Sequence, residues 1–246
     1  MSVTLCIDQG NTLTKACIFD NDSIVCIDSF EKEDSIARVR ALIDTYHPEG
    51  AILCSVTNDN SLLDMLNQYV SHVHVLSDDS SLPIINVYSS PETLGADRLA
   101  LAVGVFAAYP NSNAMAISVG TCITYNLVLS NKAFRGVAIS PGMNMRFKAL
   151  QEHTDKLPLV KPDGDLLLLG YDTETSIRSG VINGMAAEID GMVAAFAAQY
   201  PDFNAVLTGG DAPTFANKMK SKIFADPNLL MKGLNLILKH NVPQLQ

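Results

Sequence analysis

Val3-Thr4-Leu5-Cys6-Ile7-Asp8-Gln9-Gly10-Asn11-Thr12-Leu13-Thr14-Lys15 opens on an apolar strand and ends on an aspartate and a glycine-containing polar turn. The chain then returns as a second strand from Thr14 to Phe19, and Asn21-Asp22 turns it into a third from Ile24 to Ile27. Behind Asp34 and Ser35, which suit a helix cap, Ile36, Val39, Ile43 and Tyr46 fall at helical spacing. Ala51 to Val56 reads as a buried strand, Leu62 to Tyr69 as a helix and Val73 to Leu76 as another strand. A three-strand meander followed by alternating helices and strands predicts a mixed α/β sheet with helices on its faces.

The pattern then restarts. Pro91 opens a helix running to Tyr109, and Pro110 stops it. Ala114 to Ile117 is a strand, Ser118-Val119-Gly120-Thr121 a turn, Ile123 to Leu129 a strand, and Phe134 to Ile139 a third, ended by Pro141-Gly142. A helix follows from Met143, and a longer one from about Ser176 to Tyr200. Ala205 to Thr208 is a strand, Gly209-Gly210 a turn, and two shorter helices close the chain. Asp8-x-Gly10-Asn11-Thr12 and Ser118-x-Gly120-Thr121 thus occupy equivalent places, between a buried strand and its hairpin partner. The expected organisation is two copies of one unit, residues 1–110 and 111–246, although strand–Gly–Thr–strand also recurs by chance in α/β chains.

Composition narrows the function. A 246-residue chain that is 48% hydrophobic and 17% charged has the make-up of an ordinary globular protein. The net charge of -9 argues against nucleic acid or an anionic membrane as a partner. The N-terminal residues lack a secretory pattern, Leu99 to Tyr109 is too short to span a bilayer, and Val181 to Tyr200 carries Glu188 and Asp190. Cys6, Cys17, Cys26, Cys54 and Cys122 show no CxxC spacing and read as thiols within the fold, so a cytoplasmic setting is expected.

Two glycine hairpins suit a nucleotide's phosphate tail, because glycine lets backbone approach closely and successive amides form an anion-binding nest. Asp8, at a strand end, suits Mg²⁺ held through water, while Asn11, Thr12 and Lys15 offer hydrogen bonds and charge to phosphate. Taken alone, the same turn is equally a structural hairpin. No GxxxxGK[ST] or GxGxxG is present, which disfavours P-loop kinases and Rossmann dehydrogenases. Val206-Leu207-Thr208-Gly209-Gly210-Asp211 reads either as a third nucleotide contact or as a tight strand-to-helix turn. In Tyr88-Ser89-Ser90-Pro91-Glu92-Thr93-Leu94-Gly95-Ala96-Asp97-Arg98, Asp97 is either a catalytic acid–base or a carboxylate stabilised by the helix dipole.

Together the motifs resemble those of the type III pantothenate kinases. Asp8 to Lys15, Gly95-Ala96-Asp97-Arg98, Gly120-Thr121 with Thr124, Pro141-Gly142 and Thr208-Gly209-Gly210 follow in that family's order along essentially the whole chain. The specific part is the Gly-Ala-Asp-Arg block with Tyr88 and Pro91 before it. The resemblance implies an actin-like fold of two RNase H-like halves and transfer of the ATP γ-phosphoryl group to pantothenate, the first step of coenzyme A synthesis. It implies that Asp8, Gln9, Gly10, Asn11, Thr12, Leu13, Thr14 and Lys15 form the ATP-phosphate loop, that Thr121 contacts ATP, and that Gly209 and Gly210 lie on the adenosine side. Asp97 would be the general base, and Tyr88, Gly95, Ala96, Asp97 and Arg98 would line the pantothenate site. Thr173 would reach the substrate across a homodimer interface, with Thr175 as the alternative in a register open by two residues.

One position departs from the pattern. Ser118 stands where the family usually has an aspartate as ligand for a monovalent cation (K⁺ or NH₄⁺), and Asn126 fills a second commonly acidic position. That cation site is therefore left open, and with it one rival reading, an accessory binding protein of the same family that has lost catalysis; a second rival, another actin-like small-molecule kinase, is opposed by the Gly-Ala-Asp-Arg block.

Overall fold

A computed structural model describes residues 2–10, 13–56 and 59–245. The expected phosphate-loop residues Asn11 and Thr12 lie outside the described residues. Contacts divide the chain into two compact units: residues 1–110 with 132–134 and 228–246, and residues 111–131 with 135–227.

The first unit is built on β1 (Val3–Gln9), β2 (Leu13–Asp20), β3 (Ser23–Glu31), α1 (Ser35–Tyr46), β4 (Gly50–Ser55), α2 (Ser61–Tyr69) and β5 (His72–Val75). Sheet order is β3-β2-β1-β4-β5; the meander is antiparallel, and β4 and β5 add in parallel. Alternation along each strand splits the side chains between two faces. Leu5, Ile7, Ala16, Ile18, Ala51 and Leu53 pack with Val39, Ile43, Leu62 and Leu66 from α1 and α2. Asp34 makes no side-chain cap to α1, contrary to the capping expectation; Ser35 is instead buried with its Oγ 2.8 Å from Thr14 Oγ1.

The opposite face is covered by α3 (Ala96–Ala108) and by the last helix of the chain, Leu229–Asn241. These two helices approach closely because both carry glycine at the crossing: a Cβ on Gly233 would collide with the Ala100 carbonyl, and one on Gly104 with that of Leu229. Met231, Leu234, Ile237 and Leu238 are fully buried, each contributing about 1.5–3 kcal/mol of apolar burial. Thr4 Oγ1 donates to Asn235 Oδ1 at 2.6 Å, so even the polar contact on this face is satisfied. The helix expected from Pro91 begins at Ala96; Pro91–Thr93 form a short 3₁₀ turn, and extended Leu94 separates the two. The two-residue strand β6 (Ile85–Asn86) pairs in parallel with Ala133–Phe134, which belong to this unit.

The second unit repeats the plan with β7 (Asn113–Val119), β8 (Cys122–Val128), β9 (Ala133–Pro141), α4 (Met143–Glu152), α5 (Thr173–Gln199), β10 (Phe203–Thr208), α6 (Ala212–Ala216) and β11 (Phe224–Ala225). Neighbours run β9-β8-β7-β10-β11, the order of the first sheet strand for strand, with β7–β8 antiparallel and β10 parallel to both β7 and β11. Gly10 and Gly120 therefore occupy equivalent turns, and Asp8 corresponds to Ser118. The core joins Met115, Ile117, Ile123 and Leu127 to Met143 and Phe147 of α4 and to Ile177, Val181, Met185, Ile189 and Val193 of α5. By length and composition α5 could cross a membrane, yet one face is spent on the core, and two of its acids, Glu188 and Asp190, are engaged. Glu188 accepts from Tyr125 and Arg146, and Asp190 accepts the backbone N–H groups of Lys220 and Ser221.

Sequence order alone counts 228–246 with the second half. The contacts place that helix, α7 (Leu229–Asn241), in the first unit, because its apolar face and Gly233 match the surface left by β1, β4 and α3.

Candidate active site

Strand register sets the first group of polar residues. Asp8 lies opposite Lys15 across the β1–β2 hairpin and opposite Cys54 across the parallel β1–β4 pair, so Lys15, Asp8 and Cys54 form one row on one face. Gln9 and Thr14 are opposite each other in the next row and face the other way. Gln9 Oε1 accepts from Ser55 Oγ at 3.0 Å, and Thr14 is fully buried on Ser35. Gly10 closes the turn by donating its N–H to the Leu13 carbonyl at 2.9 Å. Lys15 Nζ donates to Asn228 Oδ1 at 3.3 Å, and Leu13 is exposed.

The second group stands at the start of α3. Gly95 is the N-cap residue, Ala96 begins the helix, and Asp97 lies in its first turn. A Cβ on Gly95 would collide with Asp97 Oδ1, so the glycine makes room for the carboxylate. Arg98 is 4% exposed and sits 5.5 Å from the centre of the Tyr88 ring, a cation–π distance. The Asp8 carboxylate lies within the field of Asp97. Burial, and then the Asp97 charge, push Asp8 up to about 6, against the Cys54 thiol and Lys15, which pull it down. Burial also raises Asp97, opposed by the backbone N–H and charge of Arg98.

In the second unit three glycine turns converge. Gly209, at φ 97°, lies so close to Val119 that any side chain would strike its backbone, and the N–H of Asp211 donates to the Val119 carbonyl at 3.0 Å. Gly142 packs as tightly on the carbonyls of Gly120 and Thr121, and its N–H donates to the Thr121 carbonyl at 3.1 Å. Thr121 itself is exposed, and so is Gly210's neighbourhood toward a Cβ, which would meet nothing within 4 Å.

A family model for type III pantothenate kinase matches residues 4–195. A type III pantothenate kinase from Bacteroides fragilis (strain YCH46) is 42% identical over 240 residues, covering 97% of this chain and 98% of that protein. The chain belongs to the type III pantothenate kinase family. Its activity is pantothenate phosphorylation in coenzyme A biosynthesis, and the family implies ATP as the donor. Solved structures identify the fold as actin-like. A Baf family transcriptional activator from Campylobacter jejuni matches with TM-score 0.63 at 20% identity, covering 98% of this chain and 100% of that one. A ROK family glucokinase from Streptomyces griseus matches with TM-score 0.54 at 12% identity, covering 98% and 99%.

In this pantothenate kinase the two threonines at the start of α5 have different fates. Thr175 is buried in a capping box: its N–H donates to Asp172 Oδ1 at 2.8 Å, and its Oγ1 accepts the N–H groups of Tyr171 and Asp172. Thr173 is exposed and lines a groove of about 1050 Å³ between α4 and the start of α5. At the Ser118 position, register places Thr208 on one side and Thr124 on the other. The row is therefore three neutral hydroxyls where the first unit has Lys15, Asp8 and Cys54. Asn126 is fully buried, with its amide on the Ala116 carbonyl and Thr124 Oγ1.

Sequence reading missed Cys54, whose thiol bonds to Asp8 and is itself raised by burial and then by the Asp8 charge. Only strand pairing brings them together. It also missed the network that joins Arg146, Glu188 and Tyr125.

Gly95→Ala tests the space reserved for the Asp97 carboxylate. The added methyl must displace it, and for a carboxylate that takes part in the reaction kcat should then fall at least about tenfold. Unchanged kcat in a steady-state assay would show that Asp97 does not need this position.

Proposed function

We propose that Asp97 is the general base that takes the proton from the primary hydroxyl of pantothenate as the ATP γ-phosphoryl group is transferred. The observation that carries this reading is a half-buried carboxylate, raised toward working pH by burial, beside Asp8 and the Arg98–Tyr88 pair. Arg98 supplies the fixed positive charge for the pantothenate carboxylate, and Tyr88, Gly95 and Ala96 line that site. In the first unit, Lys15 and the Asp8–Lys15 hairpin are the phosphate-binding elements, and in the second, Thr121, Gly209 and Gly210 are nucleotide contacts. Gln9 and Thr14 shape the loop from its other face, since their side chains are spent on Ser55 and Ser35.

The Asp8 carboxylate fits Mg²⁺ held through water, since its repulsion with Asp97 is what a hard cation relieves. Among the described residues no group of three His, Cys, Asp or Glu side chains could hold a metal, so its other ligands would be water and phosphate oxygens. The metal would offset phosphate charge. The free cysteines suit the cytoplasm as the compartment.

Asp97→Asn keeps the shape and removes the base. In an assay coupling ADP release to pantothenate, kcat should fall about 10²–10⁴-fold, with little change in thermal stability. Full activity with early melting would return Asp97 to a purely helix-stabilising role.

A monovalent cation does not fit the Thr124–Ser118–Thr208 row, which offers hydroxyls and no carboxylate. Turnover should therefore be the same, within about twofold, in Na⁺, K⁺ and NH₄⁺ at matched ionic strength, because lower ligand charge weakens a cation site. Strong saturable activation by K⁺ would refute this.

A homodimer completes the reading, with Thr173 reaching the partner's substrate. Leu168 and Leu169, 90% and 85% exposed, stand with exposed Tyr171 just before Thr173, an apolar surface suited to a partner. Leu168→Asp with Leu169→Asp should yield a monomer by sedimentation and a raised KM for pantothenate; a wild-type chain that is an active monomer at assay concentration would exclude it.

A further inference from the structure

Arg146, Glu188 and Tyr125 form a connected network in the second unit that the reaction as described does not use. Arg146, in the first turns of α4, donates from Nε to the Pro141 carbonyl at 2.8 Å and from Nη2 to Ser140 Oγ at 3.0 Å. Nη2 also pairs with Glu188 Oε2 of α5. The other Glu188 oxygen accepts from the Tyr125 hydroxyl at 3.1 Å. Tyr125 is 1% exposed and lies opposite Ile117 in the β7–β8 hairpin, whose turn is Gly120–Thr121.

The other end of the network reaches the same turn. Pro141, whose carbonyl Arg146 holds, immediately precedes Gly142, and Gly142 rests on the carbonyls of Gly120 and Thr121. The turn is thus gripped twice: through its own strand by Tyr125, and from the side by the Pro141–Gly142 corner. Both grips end on one ion pair, its side chains 23% and 28% exposed. The pair is not the only contact that holds α4 to α5. The α4–α5 contact already buries Met143, Phe147, Ile177 and Val181, and replacing a partly buried ion pair with apolar groups is often neutral. What an apolar replacement cannot reproduce is a planar fork that fixes three acceptors at once.

We infer that Arg146, Glu188 and Tyr125 are positioning residues that hold the Gly120–Thr121 turn in the geometry that binds ATP. The inference rests on the reading of that turn as a nucleotide contact.

The test is steady-state kinetics of the full chain with each substrate varied, alongside thermal melting. Arg146→Met keeps a long stem and removes the fork. It should raise KM for ATP about tenfold, the size of one charge-assisted hydrogen bond lost, and leave KM for pantothenate within about twofold. Tyr125→Phe and Glu188→Gln should move KM for ATP the same way by less, and each should add little on top of Arg146→Met, as members of one network do. Arg146→Lys should recover only part of the loss, since an ammonium cannot span the three acceptors. Equal rises in both KM values, or a lower melting temperature with both KM values unchanged, would reduce the network to a structural brace and overturn the inference. Thr121→Val separates the two layers. If it raises KM for ATP while Arg146→Met does not, the positioning role fails alone; if Thr121→Val leaves KM for ATP unchanged, the turn is no nucleotide contact and both readings fall.

Discussion

A carboxylate held in the interior row of a sheet is the constraint around which the first unit is arranged. Asp8 loses hydration at the end of β1, and a desolvated charge is tolerated only with partners at hand. Register supplies Lys15 on one side and Cys54 on the other, and the start of α3 brings a second acid, Asp97, within its field. The Asp97 charge makes Asp8 harder to ionise. Such a pair favours whatever brings positive charge, which is the electrostatic character a phosphoryl-transfer site needs. The glycines follow from the same demand, for Gly95 exists to give the Asp97 carboxylate its place.

The second unit shows what the same scaffold becomes without that charge. Strand order repeats, and the glycine turn repeats, yet the row equivalent to Lys15–Asp8–Cys54 is Thr124–Ser118–Thr208. Its polarity lies instead in backbone, at Gly120, Gly142 and Gly209, and in the ion pair behind them. The two copies of the fold therefore differ in kind, with charged side chains in the row of one and close backbone approach in the other.

Much of this was legible in the chain because it is local. The meander, the restart after Pro110 and the glycine turns follow from alternation and turn residues within a few positions of each other. The Gly-Ala-Asp-Arg block and its Tyr88 were legible as a pattern, although Asp97 read equally well as a helix-end carboxylate, and its nearness to Asp8 shows only in the fold. Features that depend on pairing across the chain were not legible. Cys54 looks like any core thiol until β4 is set against β1. Arg146 and Glu188 are 42 positions apart in numbering and meet only when α4 lies on α5. Thr173 and Thr175 could not be separated by spacing, but the capping box with Asp172 decides which hydroxyl is already spoken for. Asp34 makes no side-chain cap, and Ser35 puts its hydroxyl on Thr14 inside the fold, a pairing across the chain that spacing could not show.

The crossing of α3 and α7 at Gly104 and Gly233 has a consequence for how the molecule is made. On a ribosome, β1 to α3 emerge first, but the helix that covers one face of their sheet follows every other helix and strand described above. Until it arrives, the face carrying Thr4, Cys6 and Ile52 lacks its cover, and contacts spanning more than 200 residues (Thr4 with Asn235) cannot form. The first unit to be synthesised is therefore among the last to be completed. Vectorial synthesis, which ordinarily lets N-terminal domains fold on their own, here leaves the unit that carries both acids waiting for the whole chain.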